Sequence, residues 1–395
     1  MTGRRVVILG ATGSVGRQAL AVIREHPDEF EVVALSAGGA SVETLARQIV
    51  EFQPRAVAVS EPGAASAVRA AVDRLVAAGD GFAHPEYLEG TPGSATLAAL
   101  PCEVVLNGIT GAAGLPATLG ALRAGRTLAL ANKESLVIGG ELVRKEAAPG
   151  QIVPVDSEHS ALAQALRAGR ANEVRRLLVT ATGGPFRGRR LAELHGVTRA
   201  EALAHPTWSM GPVITINSAT MANKGLEVIE AHLLFDIPYE RITVVVHPQA
   251  YIHSMVEFRD GATIAQINPP DLRLPIALGL RWPERTDDVV PGVDWSTAHT
   301  WELEPLDESQ TPMVALARAV GELGGAAPAV YNAANEVAVD AFLADRIRFT
   351  LIHEVVDDAV AAYTPPAGAL TVEELMDYDA TARRRATELI RRKTS

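Results

Sequence analysis

The feature that most constrains the fold of this chain is a glycine-rich segment near its amino terminus, GATGSVG at residues 10–16. It directly follows the strand-like run at residues 6–9 and leads into a helix-like segment that begins at Arg17. Glycines at such a turn let backbone N–H groups approach a pyrophosphate at the positive end of the helix dipole. The segment therefore predicts the first βα unit of a dinucleotide-binding fold, with a plain strand-to-helix turn as the alternative.

The end of the second strand-like run bears on which dinucleotide binds. This run, at residues 31–35, is followed by Ser36-Ala37-Gly38-Gly39-Ala40, which contains no carboxylate. An acidic residue here usually binds the ribose diol of NAD, so its absence favours NADP. Arg17 and Arg47 are the candidates for contacting a 2′-phosphate.

Composition limits the class of protein. A length of 395 residues with 48% hydrophobic side chains fits two or three domains, and a single cysteine excludes an internal disulfide or a multi-thiolate metal site. No apolar run is long enough to span a membrane, and no signal sequence precedes the first strand. A net charge of −11 argues against nucleic-acid binding. We therefore expect a cytoplasmic enzyme with neither membrane nor nucleic-acid partners.

Hydrophobic patterning predicts three parts. Strand-like runs alternate with alanine-rich helical segments up to residue 155, as in a doubly wound parallel sheet; they lie at 6–9, 31–35, 56–60, 103–106, 127–131 and 151–155. Beyond Arg175 we predict an α+β region with strands at 177–181, 213–216, 243–247 and 263–268 and one helix at 218–235. Four helices, at 313–323, 328–345, 351–363 and 372–392, predict a small C-terminal bundle. The expected boundaries are 1–151 for cofactor binding, 152–281 for catalysis, 282–312 for a linker and 313–395 for the bundle.

Two carboxylates follow the strand-like run at 151–155. Asp156 and Glu158 lie two positions apart, so in an extended segment their side chains leave the same face, as an oxygen site for Mg²⁺ or Mn²⁺ needs. Active sites of open parallel sheets gather at such strand ends. The alternative is ordinary capping of the next helix.

A second polar cluster lies at residues 218–227. If Ser218 caps a helix, Asn223, Lys224 and Glu227 share one face, because they are three and four positions apart. Glu227 is then a third candidate metal ligand, while the amide and ammonium suit a phosphate or hydroxyl. The alternative for Lys224 and Glu227 is a surface ion pair.

Residues 205–213 have the composition of a lid. Prolines and a glycine flank Trp208 and Met210, so the segment predicts a loop that places an aromatic ring over a ligand. A buried tryptophan that only fills the core is the alternative.

Taken together, these motifs resemble the 1-deoxy-D-xylulose 5-phosphate reductoisomerase family. The series that carries the resemblance is GATGSVG (10–16), ANKES (131–135), PVDSEH (154–159), GGPF (183–186), HPTWSMG (205–211), NSATMANKGLE (217–227) and NAANE (332–336). It covers essentially the whole chain. The resemblance implies a Rossmann-like N-terminal domain and a homodimer that uses NADPH with a divalent cation, Mg²⁺, Mn²⁺ or Co²⁺. The implied reaction converts 1-deoxy-D-xylulose 5-phosphate to 2-C-methyl-D-erythritol 4-phosphate in the non-mevalonate isoprenoid pathway.

The resemblance also implies roles for individual residues. The implied metal ligands are Asp156, Glu158 and Glu227, and the implied catalytic residues are these three with Lys133 and His205. The implied substrate contacts are Lys133, Ser157, Glu158, Thr182, His205, Trp208, Ser218, Asn223, Lys224 and Glu227. The implied cofactor contacts are Thr12, Gly13, Ser14, Val15, Gly38, Gly39, Ala40, Asn132, Glu134 and Gly211.

Two positions depart from the family pattern. Gly39-Ala40 stands where the family often has Lys-Asn, so we expect Gly39→Lys to strengthen NADPH binding; Thr182 stands where serine is common and keeps the hydroxyl. Two other functions fit the opening motif. A semialdehyde dehydrogenase would need a nucleophilic cysteine, yet Cys102 lies at the start of a predicted core strand. A non-catalytic nucleotide-binding regulator would leave the carboxylates unexplained.

Overall fold

The computed structural model describes residues 3–76, 81–208, 210–366 and 368–394. The chain divides into two compact units, each made of three segments. Unit 1 comprises Met1–Ser135, Lys145–Ser160 and Asp271–Pro291, and unit 2 comprises Leu136–Arg144, Ala161–Pro270 and Gly292–Ser395.

The described residues contain both long helices and short strands. The strands are β1 (Arg4–Leu9), β2 (Phe30–Ala37), β3 (Ala56–Val59), β4 (Glu86–Glu89), β5 (Val104–Asn107), β6 (Thr127–Leu130), β7 (Ile152–Pro154), β8 (Val174–Ala181), β9 (Ile242–Val246), β10 (Ile252–Phe258), β11 (Thr263–Ile267) and β12 (Glu304–Pro305). The α-helices are α1 (Ser14–Glu25), α2 (Val42–Phe52), α3 (Ala64–Leu75), α4 (Pro92–Ala98), α5 (Leu115–Arg123), α6 (Lys133–Glu146), α7 (Ser157–Ala165), α8 (Arg199–Leu203), α9 (Pro212–Ala219), α10 (Ala222–Phe235), α11 (Arg273–Arg281), α12 (Pro312–Leu323), α13 (Ala327–Leu343), α14 (Leu351–Ala361) and α15 (Val372–Thr394). Short 3₁₀ turns occupy Gly111–Gly114, Leu166–Ala168, Ala171–Glu173, Leu191–Leu194 and Tyr239–Arg241.

Unit 1 contains a seven-stranded sheet in the order β4-β3-β2-β1-β5-β6-β7, with every neighbouring pair parallel. Strand order reverses at β1, which pairs with both β2 and β5. In open parallel sheets ligands bind at this switch point, beyond the carboxyl ends of the strands. The predicted doubly wound sheet is confirmed. Edge strand β4 was not predicted, because its sequence, Glu-Tyr-Leu-Glu, has little apolar pattern.

Unit 2 contains a five-stranded sheet in the order β11-β10-β8-β9-β12. Strands β8 and β9 are parallel, and the other pairs are antiparallel. One face, with Leu177 and Val179 of β8, belongs to the large core that also includes residues of α10, α12, α13 and α14. The other face carries a smaller apolar cluster that includes Leu178. Strand β10 was not predicted, because His253, Ser254 and Glu257 interrupt its apolar pattern.

Two predictions for the segment that follows the lid are wrong. Residues 213–216 are not a strand but part of α9, which Gly211 and Pro212 begin, and the single helix expected at 218–235 is two helices. The β-branched run Val-Ile-Thr-Ile is typical of strands, but proline in the first turn favours a helix and tertiary packing overrides propensity. Met221 separates α9 from α10 in a left-handed conformation, with φ of 63°. Ser218 therefore lies in the last turn of α9 and does not cap α10.

The C-terminal helices agree with prediction, because α12 to α15 lie at the expected positions. Within the expected linker at 282–312, β12 pairs with β9, and the division between the units falls after Pro291. The functional domain boundaries stay a prediction, since compactness alone does not say which segments act as domains.

Candidate active site

The glycine-rich turn after β1 is held by its neighbours in unit 1. The backbone N–H groups of Gly10 and Ala11 donate to the Ser36 carbonyl at 3.0 and 2.7 Å. Gly10 has φ of 81°, which favours glycine. Gln48 of α2 is buried, and its Nε2 donates to the Ala11 carbonyl at 2.9 Å. The turn thus has a fixed backbone immediately before the N-terminus of α1, as pyrophosphate binding requires.

The turn after β2 differs from expectation in one respect. Gly39 has φ of 121°, and a Cβ added there would lie 2.8 Å from Cβ of Glu61 and 3.1 Å from its carboxylate oxygen. This geometry argues against the expected benefit of Gly39→Lys, because a side chain at this position is strained and crowded, and the effect on NADPH binding stays a prediction. Glu61 also places a carboxylate beside the turn, although none follows β2 directly in the sequence.

Asn132 links the loops at the carboxyl ends of β5 and β6. Its buried side chain donates to the carbonyls of Ile109 and Gly111, and its Oδ1 accepts from the Ser135 N–H at 2.8 Å. These bonds fix the start of α6 and hence the position of Lys133.

A largely buried ion pair lies at the carboxyl end of β7. Lys133 begins α6, Asp156 follows β7, and the Lys133 Nζ pairs with the Asp156 carboxylate; their side chains are 7% and 15% exposed. Ser157 Oγ donates to the Glu158 carboxylate at 2.6 Å. The Asp156 carbonyl accepts from the Ser160 N–H, so the backbone also takes part in starting α7. The Asp156 carboxylate therefore pairs with the Lys133 ammonium and does not serve only as a cap for α7.

In unit 2, the first turns of α10 bring together the predicted trio. The Glu227 carboxylate accepts from Asn223 Nδ2 and from Lys224 Nζ. Lys224 Nζ also donates to the Thr180 carbonyl at 2.5 Å. Both charged side chains are buried, with exposures of 6% and 1%, so the alternative of a surface ion pair is excluded. A buried pair of this kind is costly to desolvate, so it suggests function rather than stabilisation.

Thr182 and His205 form a second polar contact in unit 2. His205 Nδ1 accepts from the backbone N–H groups of Thr207 and Trp208 at 3.1 and 2.9 Å, so its proton is on Nε2. Burial lowers the pKa of His205, which favours this neutral form. The Nε2–H then donates to Thr182 Oγ1 at 3.2 Å, and Oγ1 also accepts from the Gly184 N–H. The hydroxyl proton of Thr182 is therefore left to donate to a ligand.

The predicted lid begins at His205. Thr207 Oγ1 donates to the Pro248 carbonyl at 3.2 Å, and the half-buried Trp208 ring contacts the ring of His253 edge to face, with centroids 6.4 Å apart. Gly211 precedes α9 and its carbonyl accepts from Thr215, whereas Ser209 lies outside the described residues. Trp208 is neither fully buried nor fully exposed, and lid closure stays a prediction.

Each unit contains part of the predicted site. Unit 1 holds Thr12, Gly13, Ser14, Val15, Gly38, Gly39, Ala40, Asn132, Lys133, Glu134, Asp156, Ser157 and Glu158, and unit 2 holds Thr182, His205, Trp208, Gly211, Ser218, Asn223, Lys224 and Glu227. Within unit 1 they comprise a dinucleotide-type turn and a lysine–carboxylate pair. Within unit 2 they comprise a carboxylate with two donors and a threonine hydroxyl.

Comparison with known proteins identifies the family. Sequence models described as 1-deoxy-D-xylulose 5-phosphate reductoisomerase, its C-terminal domain and the DXP reductoisomerase C-terminal domain match residues 6–140, 152–235 and 267–385. The reductoisomerase of Kitasatospora griseola is 58% identical over 97% of this chain and 99% of its own, and that of Streptomyces avermitilis is 57% identical over 97% of both. The chain belongs to the 1-deoxy-D-xylulose 5-phosphate reductoisomerase family.

Solved reductoisomerase structures share the whole fold. The Zymomonas mobilis enzyme in complex with NADPH superposes with a TM-score of 0.89 at 39% identity, covering 98% of this chain and 99% of that one. A reductoisomerase in complex with NADPH, fosmidomycin and magnesium superposes with a TM-score of 0.90 at 36% identity, covering 98% of each chain.

The semialdehyde dehydrogenase alternative is disfavoured by Cys102. This cysteine is buried, and its burial raises the pKa of the thiol to about 11. A thiol with such a pKa is almost entirely protonated at neutral pH and is a poor nucleophile.

Sequence reasoning missed two side chains at the predicted cofactor turns, Gln48 at the turn after β1 and Glu61 at the turn after β2. Gln48 is a polar residue on the buried face of α2, which is the only signal that could have identified it. Glu61 follows a different strand, β3, and no local pattern connects it with Gly39.

The neutral form of His205 leads to a pH prediction. Protonation of Nδ1 would remove the acceptor for the Thr207 and Trp208 N–H groups. Because the pKa of His205 is lowered, the neutral form is complete above the ordinary histidine range and is lost as pH falls through the lowered pKa. We expect KM for the substrate to rise at low pH, by up to about tenfold per pH unit below that pKa, with a smaller change in kcat.

The measurement is the pH dependence of KM in wild type and in His205→Asn, each relative to its own value at alkaline pH. The asparagine Oδ1 accepts hydrogen bonds at every pH, so the additional rise in KM at low pH should vanish in this variant. The control His195→Gln, at an exposed histidine, should keep that rise. Identical profiles in wild type and His205→Asn would contradict the assignment. The substrate phosphate titrates in both proteins, so it cancels in the comparison.

Proposed function

We infer that the polar groups described in the two units serve the reaction of the reductoisomerase family. The chain is an NADPH- and divalent-metal-dependent enzyme that rearranges the carbon skeleton of 1-deoxy-D-xylulose 5-phosphate and reduces the product to 2-C-methyl-D-erythritol 4-phosphate, a step in isoprenoid precursor synthesis. Beyond family membership, the observation that best supports this function is the buried Glu227 with its donors Asn223 and Lys224. A hydroxyl-rich phosphate ester needs both a metal-binding carboxylate and donors of this kind.

The proposed metal ligands are Asp156, Glu158 and Glu227. All three supply carboxylate oxygens, which Mg²⁺ and Mn²⁺ prefer. The fit is supported by the low exposure of the Asp156 and Glu227 side chains, 15% and 1%, and by the lysine ammonium that pairs with each of them. A divalent cation bound there supplies Lewis-acid polarisation of the ketone oxygen and its neighbouring hydroxyl. Lys133 would donate to a substrate oxygen that gains negative charge, since its ammonium lies at the Asp156 carboxylate.

The substrate phosphate is proposed to bind near the start of α10. The hydroxyl of Thr182 has its proton free to donate, and Asn223 lies in the first turn of the helix, where N–H groups and dipole favour an anion. Lys224 donates to Glu227 and Thr180, and its buried ammonium adds positive charge near the start of the helix, which favours an anion there. Ser218 is proposed as a further hydroxyl donor. Trp208 would cover the bound substrate and exclude water.

The test of the function is NADPH oxidation by 1-deoxy-D-xylulose 5-phosphate, with the product identified by phosphorus NMR. Oxidation should stop with EDTA and return with Mg²⁺ or Mn²⁺. Oxidation that is insensitive to EDTA would contradict the metal-dependent reaction, and NADPH binding without oxidation would favour the regulatory alternative.

NADPH is proposed to bind along the turn after β1 and the turn after β2. Glu61 beside Gly39 carries a negative charge near the expected 2′-phosphate, so it should weaken NADPH binding without affecting NADH equally. We predict that Glu61→Gln lowers KM for NADPH by about two- to fivefold and leaves KM for NADH nearly unchanged, as expected for one solvent-screened charge.

Steady-state kinetics with both cofactors measures this effect. Glu86→Gln, which removes an exposed carboxylate from β4, is the matched control and should behave as wild type. A rise in KM for NADPH in Glu61→Gln would show instead that the carboxylate binds the ribose.

A homodimer is proposed, and one face of the unit 2 sheet supports it. This face carries Leu178, Ile252 and Met255 with the partly buried Trp301, whose ring contacts the 68% exposed Trp295 at 6.0 Å between centroids. Leu178, Ile252 and Met255 are almost fully buried, whereas the exposed Trp295 presents a large apolar ring to solvent beside them, which suits a contact with another protein molecule. A second copy of the chain is the proposed occupant.

We predict that Ala265→Arg, which puts a charge on this face from β11, converts the dimer to a monomer. Light scattering after size exclusion measures the mass. Leu323→Arg, at an exposed apolar position at the end of α12, is the control and should leave the mass unchanged. A dimer that survives Ala265→Arg would place the interface elsewhere.

Within the described residues, every helix is too short or too polar to cross a membrane. A cytoplasmic location is a proposal that rests on the single buried cysteine and on dependence on NADPH. Fractionation of the cells that produce the protein tests it.

A further inference from the structure

Unit 2 contains a cavity of about 620 Å³ whose lining includes none of the proposed metal- or substrate-binding residues. It lies among the loop that follows Gly183, the α9–α10 junction, the segment before α12 and the start of α14. Its volume is within the range of small-molecule sites, roughly 300–1,000 Å³. We call it the arginine cavity, after Arg187, Arg189 and Arg190 in its lining.

One wall of the arginine cavity is apolar and aromatic. Phe186 and Phe349 line it, with their rings 5.2 Å apart and edge to face, and Met221 and Met313 add flexible apolar side chains. These four side chains are almost fully buried, so the wall is part of the core surface rather than a loose loop. It suits a short hydrocarbon group.

The rim of the cavity has an excess of positive charge. Arg187 pairs with Glu304 at 3.3 Å, and the carboxylate of Asp307, the other lining acid, accepts from Ser309 at 2.6 Å. Among the residues that the structure describes, no carboxylate oxygen lies within 4 Å of the guanidinium of Arg189 or Arg190. The Arg189 guanidinium lies over the Phe186 ring at 5.5 Å, where the charged rim meets the aromatic wall. Arg189 Nη2 donates to the Glu193 carbonyl at 2.8 Å, and the remaining guanidinium N–H groups of the two arginines are available to an anion.

The cavity also adjoins the backbone that presents the substrate-binding groups. Gly183 lines it next to Thr182, and Thr220 and Met221 line it between Ser218 and Asn223. The two turns contact each other, because a Cβ added to Gly184 would lie 2.9 Å from the Ser218 carbonyl oxygen. A ligand in the cavity would therefore contact the two turns that position Thr182 and Asn223.

We propose that the arginine cavity is a regulatory site for an amphiphilic anion, a phosphate or diphosphate ester that bears a short apolar chain. The anionic group binds Arg189 and Arg190, and the chain lies along Phe186 and Phe349. Because the ligand touches the Gly183 and Met221 turns, its binding changes the affinity for the substrate, and the coupling is reciprocal.

The experiment uses hexyl phosphate as the probe, with inorganic phosphate and hexanol as its two separate halves. Calorimetry is done on the enzyme saturated with NADPH, Mg²⁺ and fosmidomycin, so that the active site is occupied. We expect one site per chain for hexyl phosphate, with affinity at least about tenfold above that of either half, since both the charge and the chain contribute. Arg189→Ala/Arg190→Ala should weaken binding by about tenfold or more, whereas Arg346→Ala, an exposed arginine outside the cavity, should not.

Kinetics provides the second measurement. Both arginines are exposed and outside the active site, so the double variant should show wild-type kcat and KM without the probe. In wild type, hexyl phosphate should change KM for the substrate by about threefold or more, and this change should disappear in the double variant. Absence of binding to the saturated enzyme, or equal binding by the double variant, would overturn the site. Binding that leaves KM unchanged would overturn its regulatory role.

Discussion

Glu227→Gln is expected to lower kcat by about 10³-fold, which corresponds to about 4 kcal/mol of transition-state stabilisation. The amide keeps the size of the side chain but removes the charge of a proposed metal ligand that is 1% exposed. It also leaves the Lys224 ammonium without its carboxylate, which costs up to about 3–5 kcal/mol of stability for a buried pair. Turnover at saturating Mn²⁺ measures the loss of kcat, and thermal unfolding without metal measures the loss of stability.

A second substitution separates these two losses. Lys224→Gln also breaks the ion pair, yet it keeps the Glu227 carboxylate, so it should destabilise the protein and raise KM while retaining Mn²⁺ affinity. Glu240→Gln, at an exposed carboxylate just beyond α10, is the matched control and should match wild type in every measurement. Wild-type Mn²⁺ affinity in Glu227→Gln would remove this residue from the metal site.

The parts of the site that could be predicted are those fixed by local periodicity. A helix places residues three and four positions apart on one face, so the spacing of Asn223, Lys224 and Glu227 was enough to bring them together. The glycine-rich turn after β1 was predictable because its strand, turn and helix are consecutive in the sequence. In each case the sequence signal spans fewer than about 15 residues, the length over which hydrophobic periodicity is informative.

The parts that could not be predicted depend on contacts between distant segments. Glu61 approaches Gly39 only because β2 and β3 are neighbours in the sheet and both of their terminal loops lie at one edge. The hydrogen-bonded state of His205 follows from the path of the backbone at Thr207 and Trp208, which residue types do not specify. In α9, the four β-branched residues at 213–216 are helical. The helix is favoured because Gly211 and Pro212 begin it and because Asn335 Nδ2 of α13 donates to Asn217 Oδ1 at 2.8 Å.

Lys133→Met is the second substitution with a large expected effect, and it should move two quantities in opposite directions. Methionine has nearly the same length as lysine but no charge, so the proposed donor to the substrate oxygen is lost and kcat should fall by about 10²- to 10³-fold. The Lys133 ammonium also pairs with the Asp156 carboxylate, and its positive charge repels a metal cation at that carboxylate. Its removal should therefore tighten Mn²⁺ binding, by roughly threefold or more for one like charge a few ångströms away.

Titration of Mn²⁺ by electron paramagnetic resonance, together with turnover at saturating Mn²⁺, measures both effects. Lys145→Met is the matched control, since Lys145 is an exposed lysine in the second part of α6, beyond the kink at Gly140, and should leave both quantities unchanged. Asp156→Asn provides the opposite comparison, because it should lose metal affinity and turnover together. If Lys133→Met instead lost Mn²⁺ affinity, the lysine would be needed to hold Asp156 in place for the metal, and its proposed role at the substrate oxygen would be wrong.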